Sequence, residues 1–197
     1  AACIAAGCMA GNILSGAKMS LDELIEIGTE IEGHPDNIVP AFLGGFTVSI
    51  REGKKVVYFR KEAHKGFKYA VMYPEYTLPT VEARKVLPKE ISLADGVFNI
   101  SRASLFTAAM ITGDGELLKY ACKDKLHQPY RKNLVPGFDE IIDKTQSLDA
   151  LASFLSGARP TIIAILPMDE KDFEADMEEH LKNIKGNWAL KIVEASN

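Results

Sequence analysis

The segment from Ser20 to Gly45 constrains the fold more than any other part of the chain, because a helix start, a helix stop and a turn follow one another closely there. Ser20-Leu21-Asp22-Glu23 has the pattern of a capping box, in which Ser20 accepts from the N3 amide and Glu23 reaches back. Apolar residues then recur at helical spacing, and Gly33 predicts the end of that helix. The predicted buried face consists of Leu21, Leu24, Ile25, Gly28 and Ile31.

A turn rich in polar groups follows Gly33. His34-Pro35-Asp36-Asn37 predicts the start of a second helix, with Pro35 at the first helical position and a carboxylate in the first turn. Pro40 keeps this helix short or bent, and Gly44-Gly45 leads out of it. An imidazole, a carboxylate and a carboxamide therefore lie at one turn, which makes this turn a candidate binding site.

The rest of the chain mixes strands and helices. Residues 46–50 and 56–59 predict a β-hairpin around Glu52-Gly53. Further strands are predicted at 67–72, 162–166 and 189–193, and helices at 1–14, 80–86, about 92–111, 117–122 and 169–184. Because the elements do not alternate as regular βαβ units, the pattern predicts the α+β class. The polar segment 61–66 is the predicted boundary between domains at 1–63 and 64–197.

Composition and charge argue against several classes of protein. The 197 residues are 47% hydrophobic, and the net charge of -4 is spread without a basic block, so a nucleic-acid partner is not expected. No long uninterrupted apolar span is visible, so no membrane partner is expected. Cys3, Cys8 and Cys122 form no CxxC pair, and an odd count argues against a disulfide framework. We therefore predict a reducing, cytoplasmic location.

Several segments together resemble one known family. The turn at His34-Pro35-Asp36-Asn37 and three further segments closely resemble the homoserine kinases, which belong to the GHMP family of small-molecule kinases. The resemblance implies a remnant of the GHMP N-terminal nucleotide-binding domain at 1–63 and a ferredoxin-like α+β C-terminal domain at 64–197. The three further segments are 80–88, 127–137 and 155–161.

The same resemblance implies that a phosphate-binding loop is missing. GHMP kinases cradle the nucleotide phosphates with a Pro-x-x-x-Gly-Leu-Gly-Ser-Ser-Ala loop that opens a helix, and this chain begins at Ala1-Ala2-Cys3, just inside that helix. The expectation is a chain that transfers no phosphate by itself, because the backbone amides that bind the triphosphate would be absent. Ala1 and Ala2 would be the last residues of the nucleotide site, together with Ser156 and Gly157 in the third motif.

The resemblance also implies an acceptor site for an amino acid. Arg84 and Arg131 resemble the two family arginines that grip the homoserine carboxylate, a task that suits the planar guanidinium fork. Thr80, one helical turn before Arg84, resembles the threonine nearest the reacting hydroxyl. The alternative interpretations are a surface arginine with a helix-capping threonine, and for Arg131 a solvated loop arginine.

The turn after Gly33 supplies the remaining expected acceptor-site residues. His34 and Asp36 are expected to contact the amino acid and Asn37 to lie near the transferring phosphoryl group. Mevalonate-type members have a carboxylate base where Asn37 stands, and an amide cannot take a proton, so transfer would rely on positioning. The alternative interpretation is that His34 or Asn37 caps a helix.

One metal ligand and one departure from the family pattern complete the interpretation. Glu30 resembles the glutamate that binds Mg²⁺, with Glu26 one turn earlier as the competing candidate. In Leu155-Ser156-Gly157-Ala158-Arg159-Pro160-Thr161 the family has a second glycine where Arg159 stands. Because glycine there permits a positive φ, arginine is expected to distort this loop or, alternatively, to reach a phosphate.

The combined prediction is a small-molecule kinase. It would use ATP and Mg²⁺ to phosphorylate the hydroxyl of L-homoserine, giving O-phospho-L-homoserine for threonine biosynthesis. The alternatives are another GHMP kinase that acts on a polyol or an isoprenoid alcohol, and a non-catalytic metabolite-binding domain. A homodimer is the assembly considered with this interpretation.

Overall fold

The computed structural model describes residues 1–196. Five elements form a first unit, which consists of residues 1–63 together with Ala195 and Ser196. Its core contains Ile25, Ile38, Val39 and Val56. The two strands form an antiparallel hairpin in which Phe46 faces Lys61, as the sequence predicts. The elements are α1 (Ala2–Ser15), α2 (Leu21–Glu32), α3 (Ile38–Leu43), β1 (Phe46–Glu52) and β2 (Lys55–Lys61).

The predicted capping box at the start of α2 is confirmed. The Glu23 amide donates to Ser20 Oγ at 3.3 Å, and the Ser20 amide donates to Glu23 Oε2 at 2.7 Å. Gly33 ends the helix with φ of 95°. Leu24, Ile25 and Gly28 are buried as predicted, whereas Leu21 and Ile31 are exposed, so the buried face is narrower than the apolar pattern.

The predicted helix start at Pro35 is wrong, because α3 begins at Ile38. Asp36 Oδ1 accepts from the Asn37 amide at 3.0 Å, a local side-chain bond that competes with helical pairing. Pro35 instead accepts the Val39 amide at its carbonyl, at 2.9 Å. His34 to Asn37 therefore form a turn, and α3 is as short as Pro40 predicts.

The second unit spans His64–Glu194 and contains the larger core. Its four strands form one antiparallel sheet in the order β4-β5-β3-β6, with β4 and β6 at the edges. The elements are β3 (Phe67–Pro74), α4 (Thr80–Lys85), α5 (Leu93–Thr112), α6 (Gly115–Ala121), α7 (Gln128–Arg131), α8 (Phe138–Ser147), β4 (Ala152–Leu155), β5 (Ile162–Pro167), α9 (Phe173–Leu181) and β6 (Trp188–Val193).

This topology confirms the ferredoxin-like α+β fold. One strand, a helical segment, two strands, one helix and a last strand follow each other, which is the β-α-β-β-α-β order. Helix α8 packs on β4 and on α9, and α9 packs on β6. The core between these helices and the sheet includes Ile141, Phe173 and Met177. No helix within residues 1–196 is long and apolar enough to cross a membrane.

Besides α3, four elements differ from the sequence prediction, and one of them is helix α7, which was not predicted. Helix α9 begins at Phe173 rather than near residue 169, because Glu170 Oε1 accepts the amides of Asp172 and Phe173 at 2.6 and 2.5 Å and so holds a capping turn. Helix α8 and strand β4 were not predicted. Strand β4 has only four residues, too few to show an alternating pattern.

Candidate acceptor and nucleotide sites

The turn between α2 and α3 presents its three polar side chains at the surface of the first unit. His34 Nδ1 pairs with Asp36 Oδ1, and Asp36 is 68% exposed. Asn37 stands at the N-cap of α3, yet its side chain makes no capping hydrogen bond. The interpretation of Asn37 as a helix cap is therefore wrong, and its carboxamide is exposed at this turn.

Thr80 and Arg84 lie on helix α4 of the second unit. Thr80 is the first residue of this helix and, like Arg84, is exposed. Between them Ala83 is fully buried and faces the body of the unit. The neighbouring carboxylate, Glu82, forms an ion pair with Lys85 at 2.6 Å. Among the described ion pairs, none joins the Arg84 guanidinium to a carboxylate.

Arg131 has a different environment from Arg84. Arg131 is only 8% exposed. Its Nε atom donates to Ala83 O at 3.0 Å, and its Nη1 atom donates to Gly157 O at 2.9 Å. The interpretation as a solvated loop arginine is therefore wrong. Arg131 instead links helix α4 to the loop after β4, and the N–H groups of Nη2 are not used in these two bonds.

The two arginines are electrostatic neighbours. Burial lowers the pKa of Arg131 below its usual value, and the positive charge of Arg84 lowers it further, while Asp124 opposes the shift. Two guanidinium groups that repel each other are stabilised by an anion bound near both. The pair is thus suited to a carboxylate or phosphate ligand.

A backbone hydrogen bond closes the loop at residues 156–161, which we call the closing loop. Its two ends are joined by the Ser156 amide, which donates to Thr161 O at 2.7 Å. Gly157 has φ of 64°, in the left-handed region that favours glycine. Arg159 is exposed and is not among the described residues with positive φ, so its backbone carries no left-handed strain.

Glu30 and Glu26 lie on successive turns of α2 and line one cleft of about 180 Å³ in the first unit. Arg51 and Lys54 line the same cleft. Within residues 1–196 no group of three or more His, Cys, Asp or Glu side chains is placed to hold a metal ion. Mg²⁺ commonly takes one or two protein carboxylates together with substrate phosphates, so these two glutamates fit the requirement.

The expected nucleotide-site residues are divided between the two units. Ala1 packs against the core of the first unit, and Ala2 opens helix α1 at the surface. Ser156 and Gly157 belong to the closing loop of the second unit. The structure thus brings Thr80, Arg84, Arg131 and the closing loop together, and separately His34, Asp36 and Asn37 at their turn.

Asp124 and Gln128 were missed by the sequence prediction. Asp124 accepts the amides of His127 and Gln128 at 2.8 and 2.6 Å, and Gln128 Oε1 accepts the Leu155 amide at 2.8 Å. Pro129 in the first turn of α7 is a recognisable helix-start signal, but Asp124 lies three residues before the N-cap residue His127 and so outside the usual capping position. Nothing in the sequence signals the partner of Gln128.

Comparison with known proteins identifies the family. The profile described as GHMP kinases C terminal matches residues 106–183. A homoserine kinase of Clostridium beijerinckii is 49% identical over 189 residues, which are 95% of this chain and 63% of that protein. A homoserine kinase of Clostridium botulinum is 42% identical over 191 residues, covering 97% of this chain and 64% of the relative.

A solved structure leads to the same family. The crystal structure of homoserine kinase from Cytophaga hutchinsonii superposes with a TM-score of 0.86 at 25% identity, covering 97% of this chain and 63% of that one. The chain thus spans about 64% of the length of the curated relatives it matches. These similarities agree with the β-α-β-β-α-β topology and the motif residues described above. Residues 106–183 are therefore a GHMP kinase C-terminal domain, and the chain is similar to homoserine kinases over nearly all of its length.

Proposed function

We propose that this chain provides the acceptor site of a homoserine kinase, which transfers the γ-phosphoryl group of ATP to the hydroxyl of L-homoserine. The product is O-phospho-L-homoserine, an intermediate of threonine biosynthesis. The observation that carries the proposal is the pair of neighbouring guanidiniums, an exposed Arg84 beside a buried Arg131. A carboxylate bound there would offset their mutual repulsion.

The arginine pair favours an amino-acid acceptor over an uncharged one. A polyol or an isoprenoid alcohol has no anion beside its hydroxyl to place between two guanidinium groups. In the proposed complex Arg84 provides the open guanidinium fork and Arg131 an N–H group that its backbone bonds leave unused. Thr80, one turn from Arg84 at the exposed start of α4, would contact the reacting hydroxyl.

In the proposed complex the first unit contributes His34, Asp36 and Asn37, with an amide where mevalonate-type kinases have a carboxylate base. His34 and Asp36 would contact the amino acid, and their mutual hydrogen bond holds the imidazole in one orientation. Asn37 would donate a hydrogen bond to the transferring phosphoryl group. It would not act as a base, because a carboxamide cannot remove a proton at neutral pH. Catalysis would therefore rest on positioning and charge stabilisation, as in phosphoryl transfer generally.

Mg²⁺ and ATP complete the proposal. Glu30 or Glu26 would hold the metal, which when bound neutralises charge on the phosphates. Ser156 and Gly157 of the closing loop, with Ala1 and Ala2, would contact the nucleotide. We also infer a cytoplasmic enzyme, in keeping with the three free cysteines among the described residues.

A completed enzyme tests the proposal. It is made by joining this chain to the part of the Clostridium beijerinckii relative that the chain does not match, with the complete relative as the positive control. We expect ATP turnover that depends on L-homoserine and exceeds turnover with galactose or another uncharged polyol. A preference for an uncharged alcohol would point to another GHMP kinase. A folded protein that binds homoserine but transfers nothing would indicate a metabolite-binding domain.

A further inference from the structure

Helix α7 is too short to hold its own position, since isolated helices need many more residues to be stable. Asp124 holds it from its N-terminal side. One carboxylate oxygen accepts the amides of His127 and Gln128, at 2.8 and 2.6 Å. The other accepts the Leu126 amide at 3.1 Å and Asn99 Nδ2 at 2.6 Å. This side chain is only 8% exposed, so its four hydrogen bonds are well shielded from water.

The ionised form of Asp124 is the form that these bonds require. Burial alone would raise the pKa of Asp124, but the hydrogen bonds from the amides of His127 and Gln128, from Asn99 and from the Leu126 amide together keep it below its usual value. Asn99 also anchors the chain beside Asp124, because its Oδ1 accepts the Lys125 amide at 3.0 Å. The start of α7 is thus tied to helix α5, which contains Asn99.

From this fixed helix two side chains three residues apart reach the end of β4 and the closing loop. Gln128 Oε1 accepts the Leu155 amide at 2.8 Å, and β4 is an edge strand whose outward amides have no strand partner. Arg131 donates to Gly157 O and, from the other side of its guanidinium, to Ala83 O. One short helix therefore contacts both sides of the loop's first turn and helix α4, which carries Thr80 and Arg84.

We propose that Asp124 and Gln128 are positioning residues, which use helix α7 to clamp the closing loop and α4 in the arrangement needed for substrate binding. Neither residue touches the substrate in this scheme. The clamp is a property of the second unit alone, and only its kinetic consequence rests on the proposed function. A purely local role would protect the Leu155 amide and nothing else.

Hydrogen exchange of the closing loop separates the clamp from a local bond. Gln128→Leu removes the acceptor of the Leu155 amide, whereas Gln128→Glu retains an oxygen that can accept it. The control is Gln146→Leu, which changes the exposed glutamine on α8. The critical reporter is the Ser156 amide, which bonds Thr161 O and not Gln128. In Gln128→Leu we expect its exchange to rise about tenfold, the equivalent of one hydrogen bond, with the two other variants near the parent.

The kinetic arm uses the completed enzyme. We expect Gln128→Leu to lower kcat/KM for homoserine about tenfold, chiefly through KM, and Gln128→Glu to restore most of it. Asp124→Asn should raise Ser156 exchange in the same direction. Faster exchange of the Leu155 amide alone would show a purely local hydrogen bond. Faster exchange of all amides in the second unit would show a general loss of stability, and either result would contradict the proposed clamp. Faster Ser156 exchange with unchanged kinetics would remove its role in catalysis, and a completed parent without activity would count against the proposed function alone.

Discussion

At the scale of single residues, the two arginines that the resemblance treats as equivalent have different surroundings. Arg131 uses two of its nitrogen atoms on backbone carbonyls and is almost fully buried, whereas Arg84 is exposed. A lysine has no planar fork, so it cannot span the two carbonyls that Arg131 joins. Arg131 therefore stabilises the second unit in addition to its proposed contact with the substrate. Arg84 has only the proposed role of binding the substrate.

This difference predicts unequal effects of the two lysine substitutions. In the completed enzyme, Arg84→Lys should raise KM for homoserine about 10- to 100-fold, the equivalent of about 1.5–3 kcal/mol for a charge-assisted bond, and leave the melting temperature unchanged. Arg131→Lys should raise KM and also lower the melting temperature, because two buried carbonyls lose their donors. KM for ATP should change little in both.

Steady-state kinetics and thermal unfolding, with Arg60→Lys on the exposed hairpin as the control, check this pair. Equal losses for ATP and homoserine would remove both arginines from the acceptor site. A lower melting temperature for Arg84→Lys would show that Arg84, too, supports the fold.

Arg159 leads to a prediction opposite to the one that its motif position suggests. Because its φ is not positive, a glycine there would relieve no strain and would add freedom to the unfolded chain. We expect Arg159→Gly to lower the free energy of unfolding by about 0.5–1 kcal/mol relative to Arg159→Ala, with no gain in kcat/KM. Urea unfolding and kinetics of both variants measure this. A higher kcat/KM for the glycine variant alone would contradict it, and an equal drop in both with weaker ATP binding would identify a phosphate ligand.

At the scale of helices and strands, local signals decided which elements could be predicted. The capping box at Ser20 and Glu23 and the glycine at position 33 define α2 without help from the rest of the chain. The hairpin and β5 were equally clear from their apolar runs. Strand β4 is too short for a pattern, and α7 is held by the Asp124 side chain rather than by its own helical bonds.

The candidate site was predictable only in part for the same reason. Motif resemblance selected Arg84 and Arg131, and their electrostatic proximity agrees with a shared ligand. The partners of Arg131, Ala83 O and Gly157 O, are backbone atoms distant in sequence, so no residue type reveals them. The same is true of the Leu155 amide that Gln128 binds.

Two glycines at element ends provide a matched test of packing. Gly113 after α5 and Gly137 before α8 have φ of 77° and 80°, and a Cβ on either would overlap a neighbouring side chain. At Gly113 the neighbour is the exposed ring of His64, which accepts the Gly66 amide at 3.1 Å and has to give up this surface bond to make room. At Gly137 it is Ile184 in the buried core, which cannot swing away.

Gly113→Ala should therefore cost the left-handed strain, about 1–2 kcal/mol, and the exposed His64 hydrogen bond, about 0.5 kcal/mol. Gly137→Ala should cost about 1–3 kcal/mol more, because a packed core resists an added methyl group. Urea unfolding of both variants gives the comparison. Equal costs would show that Ile184 moves as easily as His64.

At the scale of the whole molecule, each unit has its own core, and the single tryptophan reports on one of them. Trp188 lies in β6 and packs against the core of the second unit, so its fluorescence follows the unfolding of that unit.

His127 is the residue through which this unit should respond to pH near neutrality. Burial lowers the pKa of His127, Asp124 opposes the shift, and Arg131 lowers it further. Its Nδ1 atom is buried without a hydrogen-bond partner among the described residues.

The sign of the pH effect follows from the lowered pKa of His127. An unfolded histidine titrates near 6.5, so between that value and the lower folded pKa the unfolded chain binds more protons. The second unit should therefore lose stability as the pH falls from about 7.5 to about 5.5, a range in which the carboxylates stay ionised. Urea unfolding followed by Trp188 fluorescence should give a lower midpoint at the lower pH. His127→Gln should abolish this difference, while His64→Gln, at an exposed position, should retain it. A pH dependence that survives in His127→Gln would assign the effect to another group.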